Sequence, residues 1–163
     1  MTPTLEPVDP AWEARVRASF NAQRLMDLLG ATLTALAPGR CEISLPWRPE
    51  LTQQDGFFHA GIVTTIADNA AGFAAFTLMP ADARVLTVEL KINLLSPAKG
   101  ERAIARGSVL RAGRTLTVTR ADIVTVQAGK EVPVAALQAT MIALRQRTFG
   151  PDVGSLVSAD GRE

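Results

Sequence analysis

The sequence is poor in the residue types from which many catalytic and metal-binding sites are built. Among 163 residues there is one cysteine, Cys41, and one histidine, His59. An intrachain disulfide is therefore impossible, and a metal site would need carboxylates for most of its ligands. The sequence also has no Gly-x-Ser-x-Gly motif, the tight turn on which many hydrolases place a nucleophilic serine. We predict no metal and no cofactor.

The chain also lacks an excess of charge of either sign. It has 17 basic and 16 acidic residues, for a formal net charge of +1. No long-range field attracts nucleic acid or an anionic membrane surface, so an anionic ligand must be bound by a local cluster of basic groups. Residues 1–9 contain no apolar stretch of the kind that a secretory signal needs. These features favour a cytoplasmic protein with no nucleic-acid partner.

One segment has the length of a membrane span. Residues 60–79 are mostly apolar, but Asp68 and Asn69 lie near the middle. An acidic residue at that depth costs about 2.5–3.5 kcal/mol on insertion, and the many alanines offset little of this cost. We interpret the segment as a buried helix of a protein that does not enter the membrane.

Hydrophobic periodicity and turn residues divide the chain into short helices, strands and one long apolar helix. Asp9 is placed to cap the first helix, and Gly30 to end the second. Residues 86–94 alternate between apolar and polar side chains, which predicts a strand with one buried face. The predicted elements are helices at 11–20, 21–29 and 59–78, a polar loop at 49–58, and strands at 31–36, 40–47, 86–94, 101–111, 114–126 and 132–144.

These elements predict one α+β domain spanning residues 1–163, with a core at about 21–145 between an irregular arm (1–10) and a loose tail (145–163). The last four strands follow one another through short turns, and an antiparallel sheet leaves one face free to pack against a helix. Only the helix at 59–78 is apolar enough to be that partner. We therefore predict an antiparallel sheet wrapped around this helix.

The single cysteine belongs to one of the predicted strands. Cys41 alternates in phase with Ile43 and Leu45, so its side chain shares their buried face. We predict a buried and inert thiol rather than a nucleophile.

The start and middle of the long helix combine features that suit acyl transfer. Ala60 and Gly61 open the helix with small side chains, which leaves the unpaired backbone N–H groups accessible to a developing oxyanion. Asp68 follows about two turns later, where a carboxylate among apolar residues is costly unless it is paired or functional. Asn69 adds a second polar group. An oxyanion site and a carboxylate are both parts that an acyl-transfer enzyme needs.

Structural roles explain each of these residues separately. Asp68 can accept a hydrogen bond from Thr64 or Thr65, one turn earlier in the helix. His59 can be a helix-end residue that satisfies a loop carbonyl, and Gly61 can be a packing glycine. The combination, rather than any single residue, favours function.

The chemistry that remains is hydrolysis by a water molecule that a carboxylate activates. A thioester suits this chemistry because its thiol, with a pKa of about 8.5, leaves far more easily than an alcohol. No strong general acid is then required.

The same residues resemble a known family. The segments 59–61 (His-Ala-Gly) and 67–70 (Ala-Asp-Asn-Ala) are similar to the His-Gly-Gly and Ala-Asp-x-Ala signature of PaaI-like hotdog thioesterases of the phenylacetate-pathway type. Residues 96–98 (Ser-Pro-Ala) and 113–116 (Gly-Arg-Thr-Leu) also match that pattern. The resemblance covers roughly residues 28–144, and the order and spacing of the motifs make it specific.

The resemblance implies a hotdog fold that hydrolyses acyl-CoA, with CoA as part of the substrate, in homodimers or dimers of dimers whose active sites lie at the dimer interface. Asp68 would be the general base or nucleophile, facing the helix start of the other subunit, and the Ala60 N–H would polarise the thioester carbonyl. Gln53, with Gln54 as its competitor, would hold the water or substrate, and Thr87 would line the site. Ala60 replaces the first glycine of the signature, so its methyl group bears on substrate choice.

A site for the CoA phosphates must be local, since the chain is nearly neutral. Arg111 and Arg114 flank one turn, and Lys99 and Ser96 lie near the preceding turn, so we predict that these residues bind CoA. The alternative is that they are solvated turn residues. An acyl pocket would have aromatic walls, and the candidates, which are also candidates for the core, are Phe57, Phe58 and Phe73.

Two other functions fit the same fold. A non-catalytic acyl-CoA binder or sensor would keep the helix start and the basic turn but would not need Asp68. No DNA-binding segment accompanies the domain, which disfavours a transcriptional sensor. A dehydratase or hydratase needs a histidine paired with an acid, and His59, the only candidate, lies in the wrong motif.

Overall fold

The computed structural model describes residues 5–145, which form three α-helices, a short 3-10 helix and six strands. The helices are α1 (Trp12–Asn21), α2 (Arg24–Leu29) and α3 (Ala60–Phe76), and the 3-10 helix is Pro49–Leu51. The strands are β1 (Thr32–Ala37), β2 (Arg40–Pro46), β3 (Ala83–Leu94), β4 (Arg102–Ala112), β5 (Leu116–Gln127) and β6 (Lys130–Arg145). The predicted sequence of elements is confirmed, with ends that shift by a few residues. The predicted tail lies almost wholly outside the described residues.

The six strands form one antiparallel sheet in the order β1-β2-β4-β5-β6-β3. Helix α3 packs across one face of this sheet against β2, β3, β4, β5 and β6, most extensively against β4. Its residues from Ala70 to Phe76 are all buried. The chain thus forms an antiparallel sheet around one long apolar helix, as predicted.

Helix and sheet approach closely because the residues between them are small. Ala67, Ala70 and Ala71 of α3 are fully buried. Gly107 of β4 lies directly beneath them, and a Cβ atom at this position would collide with the backbone of Ala70 and Ala71. Glycine is therefore required at position 107 for steric reasons, so that the helix backbone can rest on the strand.

The N-terminal helix is tied to the end of α3 by one arginine. The Arg15 guanidinium donates to the Asp9 carboxylate at 2.7 Å and to the Met79 carbonyl at 2.7 Å, and it lies 4.1 Å from the centroid of the Phe76 ring. Asp9 also accepts the N–H of Ala11 at 2.9 Å. Asp9 therefore does not cap α1 as predicted. The helix begins at Trp12, and the Asp9 carboxylate accepts the N–H of the residue before it.

Strand β3 departs most from the sequence-based expectation. The turn at 97–100 was expected to place β3 beside β4, but β3 pairs with β6 at the sheet edge, so the chain crosses over before β4 begins. Apolar side chains of the strand are between 37% and 56% exposed instead of buried: Leu86, Val88, Leu90 and Leu94. The prediction of one buried face was wrong because a single chain supplies no cover for an edge strand that carries apolar residues.

A bulge in β3 also breaks the predicted alternation. The register shifts between Thr87 and Glu89, so that Thr87 pairs with Met141 while Leu90 pairs with Ala139. Met141 and Ala139 are both fully buried beneath the helix, and paired residues share a face. Thr87 therefore points to the same side as Leu90, although strict alternation places them on opposite sides.

Three local predictions can be compared directly with the structure. Gly30 ends α2 with a positive φ of 71°, as expected for a C-terminal stop. Cys41 is buried, and this burial raises the pKa of its thiol to about 12, which agrees with an inert role. The loop at 49–58 is less polar than predicted, because Leu51 and Phe58 are buried.

We expect opposite effects from adding one methyl group at two glycines. Gly107→Ala should lower the free energy of unfolding by about 1–3 kcal/mol, because α3 must move away from β4. Gly72→Ala is the matched control: its new Cβ would meet nothing closer than Met141 at 3.9 Å, and it should stabilise α3 by about 0.5–1 kcal/mol. Urea denaturation of both variants measures the difference. Equal stability of the two variants would contradict the close packing.

Candidate active site

Asp68 lies on the third turn of α3 and faces the bulged part of β3. Its carboxylate is half-buried and accepts a hydrogen bond from the Thr87 hydroxyl at 2.8 Å. Burial raises the pKa of Asp68 above its ordinary value, because the charged form loses solvation, and the Thr87 hydrogen bond partly opposes this rise. A carboxylate with a raised pKa is a better proton acceptor than an exposed one.

The hydrogen bond from Thr64 or Thr65 that a structural role for Asp68 would use is absent. Thr64 and Thr65 do not donate to its carboxylate, because their hydroxyls donate to the carbonyls of Ala60 and Gly61, each at 2.8 Å. These bonds lie within the helix and leave Asp68 bound to β3 alone among the described residues. The carboxylate is therefore held by a tertiary contact.

The Asp68 carboxylate opens into a recess of about 210 Å³ between α3, α2 and β3. Asn69 contributes one wall, and its amide nitrogen is held by the Thr65 carbonyl at 2.9 Å. Phe73 contributes another, where its ring also packs edge-on against Phe20 with centroids 5.7 Å apart. Sequence reasoning missed Gln23 and Val85, which also line the recess, since no local pattern shows that the junction between α1 and α2 lies beside α3.

The start of α3 is capped by His59, whose Nδ1 atom accepts the N–H of Gly61 at 3.0 Å. The predicted contact of His59 with a loop carbonyl is therefore replaced by a cap on its own helix. The N–H groups of Ile62 and Val63 bond to the His59 carbonyl. Within residues 5–145 the Ala60 N–H donates no hydrogen bond. Of the two predicted oxyanion donors, Ala60 is thus available while Gly61 is engaged.

A second cavity, of about 470 Å³, lies at this helix start. Gln53 lines it, but Gln54 does not, which favours Gln53 in the predicted pair. Gln53 is held by Asp55, whose backbone N–H donates to its side-chain oxygen. Ser96 lines the cavity too, and its hydroxyl donates to the Pro133 carbonyl at 2.8 Å. The remaining walls are apolar or aromatic: Phe57, Phe58, Val63, Leu94, Leu95, Pro97, Ala98 and Val134.

The two predicted halves of the site do not meet within one chain. Ala60 and Asp68 lie on the same helix, eight residues apart, and at 1.5 Å per residue their backbones are separated by about 12 Å. They also line different cavities. A thioester carbonyl that accepts a bond from Ala60 therefore cannot be within about 3 Å of a water on Asp68 of the same chain.

The predicted CoA-binding residues are also divided. Lys99 precedes β4, whereas Arg111 is the penultimate residue of this strand and Arg114 follows it. A strand of 11 residues is roughly 35 Å long, so Lys99 and the two arginines occupy opposite ends of the sheet. One chain does not assemble the predicted basic cluster, because the turns that join consecutive antiparallel strands alternate between the two ends.

No group of three or more histidine, cysteine, aspartate and glutamate side chains in residues 5–145 is arranged to hold a metal ion. In the same part of the chain, no helix is both long and apolar enough to cross a membrane.

Comparison with known proteins identifies the family. The model of the thioesterase superfamily matches residues 55–132. Human acyl-coenzyme A thioesterase 13 is 31% identical over 117 residues, which are 71% of this chain and 83% of that protein. The chain belongs to the thioesterase superfamily. The crystal structure of a thioesterase family protein from Silicibacter pomeroyi, 48% identical, superposes with a TM-score of 0.81 over 82% of this chain and 98% of that one.

The superfamily membership confirms the predicted hotdog fold and the predicted class of enzyme, a thioester hydrolase. The resemblance to PaaI-like proteins is confirmed as well. The PaaI protein from the phenylacetic acid degradation operon of E. coli shares the fold with a TM-score of 0.73, over 82% of this chain and 93% of that one. At 16% identity this likeness shows the fold alone. The roles of individual residues in this thioesterase stay predictions.

We expect the Thr87 hydroxyl to set the pH at which the thioesterase loses activity in acid. Thr87→Val keeps the shape of the side chain but removes the hydrogen bond that lowers the pKa of Asp68. The pKa should therefore rise, and the acid limb of the kcat/KM profile should move to higher pH. As a control, Thr140→Val removes a hydroxyl that bonds to Glu89 and should leave the limb in place. An unmoved limb in Thr87→Val would show that Asp68 is not the titrating base.

Proposed function

We propose that this thioesterase hydrolyses acyl-CoA to a free acid and CoA, with Asp68 as the general base. The observation that carries the proposal is the half-buried Asp68 carboxylate, held by Thr87 at 2.8 Å on an otherwise apolar helix. A non-catalytic acyl-CoA binder would have no use for this carboxylate, whose burial opposes folding.

The reaction follows from the two halves of the site. Asp68 removes a proton from a water molecule while the water oxygen attacks the thioester carbonyl carbon. The negative charge that develops on the carbonyl oxygen is stabilised by the N–H of Ala60 and by the positive end of the α3 dipole. The carbon–sulfur bond then breaks, and the thiolate leaves and takes up a proton. A thiolate leaves without the strong general acid that an alcohol leaving group needs.

We further propose that each complete site joins two copies of the chain. Asp68 and the Ala60 N–H are about 12 Å apart within one copy, so the second half must come from another. Strand β3 is the surface for this contact, since it is an edge strand with unpaired backbone groups and exposed Leu86, Val88 and Leu94. Pairing of two β3 strands would cover these residues and bring Asp68 of one copy towards the helix start of the other.

The remaining predictions extend this arrangement. Within a single chain, Arg111 and Arg114 lie too far from the helix start to reach CoA bound there. An interface of this kind permits these arginines of one copy to approach the CoA bound at the helix start of the other. Assembly of dimers into tetramers and a cytoplasmic location stay predictions.

We expect Asp68→Asn to lower kcat by roughly a hundredfold or more, which is the usual size of a general-base effect. The variant should fold, and at pH 7 its free energy of unfolding should equal or exceed that of the wild type. The pKa of Asp68 is raised in the folded state, so its ionised form opposes folding at neutral pH, and this penalty vanishes as the pH falls through the raised pKa.

Thiol release and urea denaturation measure the two effects. Asp82→Asn, which neutralises an exposed acid 3.8 Å from Arg145, is the control and should keep full activity. Full turnover by Asp68→Asn would remove Asp68 as the base, and loss of folding would assign it a structural role.

We expect two inactive variants to restore activity when their subunits are mixed. Ala60→Pro removes the proposed oxyanion donor, and the helix tolerates proline there because Ala60 is the first residue of α3 and His59 has an extended backbone, with φ −61° and ψ 139°. In a mixed dimer with Asp68→Asn, one site carries both defects and the other carries neither.

An equal mixture, allowed to exchange subunits, should therefore regain about a quarter of the wild-type activity, since half the dimers are mixed and half of their sites are intact. The separate variants are the controls. No recovery despite exchange, or a fully active monomer in sedimentation, would contradict the shared site.

A further inference from the structure

A third cleft, of about 350 Å³, lies beside the cavity at the helix start and has no part in the proposed reaction. Its lining combines an aromatic ring with charged and amide side chains: Trp47, Lys99, Gly100, Glu101, Gln127 and Ala128. Trp47 is 40% exposed, so a large part of its indole is open to a ligand. An aromatic face of this size can stack on a planar ligand group.

The cleft and the helix-start cavity are lined by consecutive residues of one segment, Ala98 in the cavity and Lys99 in the cleft. The N–H of Phe58 bonds to the Ala98 carbonyl at 2.9 Å, which joins the segment before α3 to the crossover between β3 and β4. The backbone N–H of Trp47 bonds to the Glu101 carbonyl at 2.9 Å, and its indole N–H bonds to the Gly56 carbonyl at 3.3 Å. The same two chain segments thus run from one cavity to the other.

These contacts limit the distance between the cleft and the reacting thioester. Two backbone steps of about 3.8 Å separate Ala60 from Phe58, one more separates Ala98 from Lys99, and the hydrogen-bonded contact spans about 5 Å, so the Lys99 Cα lies within roughly 16 Å of Ala60. The pantetheine arm of CoA is as long as about four extended residues, roughly 14 Å. The arm of a thioester held at the Ala60 N–H is therefore about long enough to reach the cleft.

The side chains of the cleft match the chemistry of an adenine nucleotide. A base stacks on an aromatic ring, which the Trp47 indole supplies. The exocyclic amine of adenine is a hydrogen-bond donor, and its possible acceptors are the Glu101 carboxylate and the side-chain oxygen of Gln127, whose amide nitrogen is held by Thr125 at 3.3 Å. The ammonium group of Lys99 can pair with a phosphate. The adenine and one phosphate thus each have a counterpart in the cleft.

We propose that this cleft binds the nucleotide end of the acyl-CoA, with Trp47 stacked on the adenine and Lys99 paired with a phosphate. The inference rests on the proposed function, because it takes the substrate to be a CoA ester. It assigns Trp47 to substrate binding and leaves the reacting atoms to Asp68 and Ala60.

The kinetic test compares two substrates that differ only in the nucleotide, an acyl-CoA and the acyl thioester of pantetheine. Trp47→Ala should raise KM for the acyl-CoA by about tenfold, the range of one base-stacking contact, and should leave kcat and the pantetheine thioester unchanged. Trp47→Phe keeps an aromatic face and should restore most of the affinity. Lys99→Gln should raise KM for the acyl-CoA alone, whereas Arg17→Gln, which removes an exposed positive charge on α1, outside the cleft and strand β3, should change nothing.

A binding test leaves Trp47 intact. The chain has two tryptophans, so Trp12→Phe makes Trp47 the only one. Titration with CoA should change the fluorescence of Trp47, and titration with pantetheine should not. This readout requires no turnover.

The outcomes separate the inference from the proposed function. If wild-type protein hydrolyses no acyl-CoA but CoA still changes Trp47 fluorescence, the proposed function fails and the cleft stands. If turnover occurs but Trp47→Ala leaves KM for the acyl-CoA unchanged, or raises KM equally for both thioesters in a folded protein, the inference is overturned. It is also overturned if KM depends on Arg111 and Arg114 and not on Trp47 or Lys99.

Discussion

The close contact between α3 and β4 is the constraint on which the rest of the structure depends. Because Gly107 has no side chain, the backbone of Ala70 and Ala71 rests on the strand. The helix is then held at a depth where Asp68 is half-buried rather than exposed or fully enclosed. This intermediate burial raises the pKa of the carboxylate and still leaves it open to the recess beside β3. The packing of small residues thus influences the pKa of the Asp68 carboxylate through its depth of burial.

The same sheet that buries the helix leaves one strand incomplete. Strand β3 carries apolar side chains on an open edge, and its bulge turns Thr87 towards Asp68. The bulge thus positions a hydrogen-bond donor for the Asp68 carboxylate, while the exposed apolar edge provides a surface for a second copy. In the proposed dimer, association and completion of the active site are a single event, because neither half can hold a thioester in reacting geometry alone.

Much of the fold and the main site residues could be predicted from the sequence. The apolar helix with its small-residue start and central acid is a local pattern, and its elements appear where periodicity and turn residues place them. Thr87, which the family resemblance implied as a residue lining the site, lies in hydrogen-bond contact with Asp68. The face of the strand on which Thr87 lies was not predictable, since a bulge changes the register without a clear sequence signal. The position of Gln23 depends on how α2 docks, which is a long-range property.

The sequence by itself limited the chemistry open to the site, because it has one histidine, one cysteine and no Gly-x-Ser-x-Gly motif, while one acid interrupts an apolar helix. It also determined the layered fold, because hydrophobic periodicity is a local property of the chain. Only the tertiary structure decided which groups meet. It joined Trp47 to Lys99 in one cleft, brought Thr87 of β3 to Asp68 of α3 and placed β3 at the edge of the sheet. Such contacts are set by strand order and crossover, which no local pattern encodes.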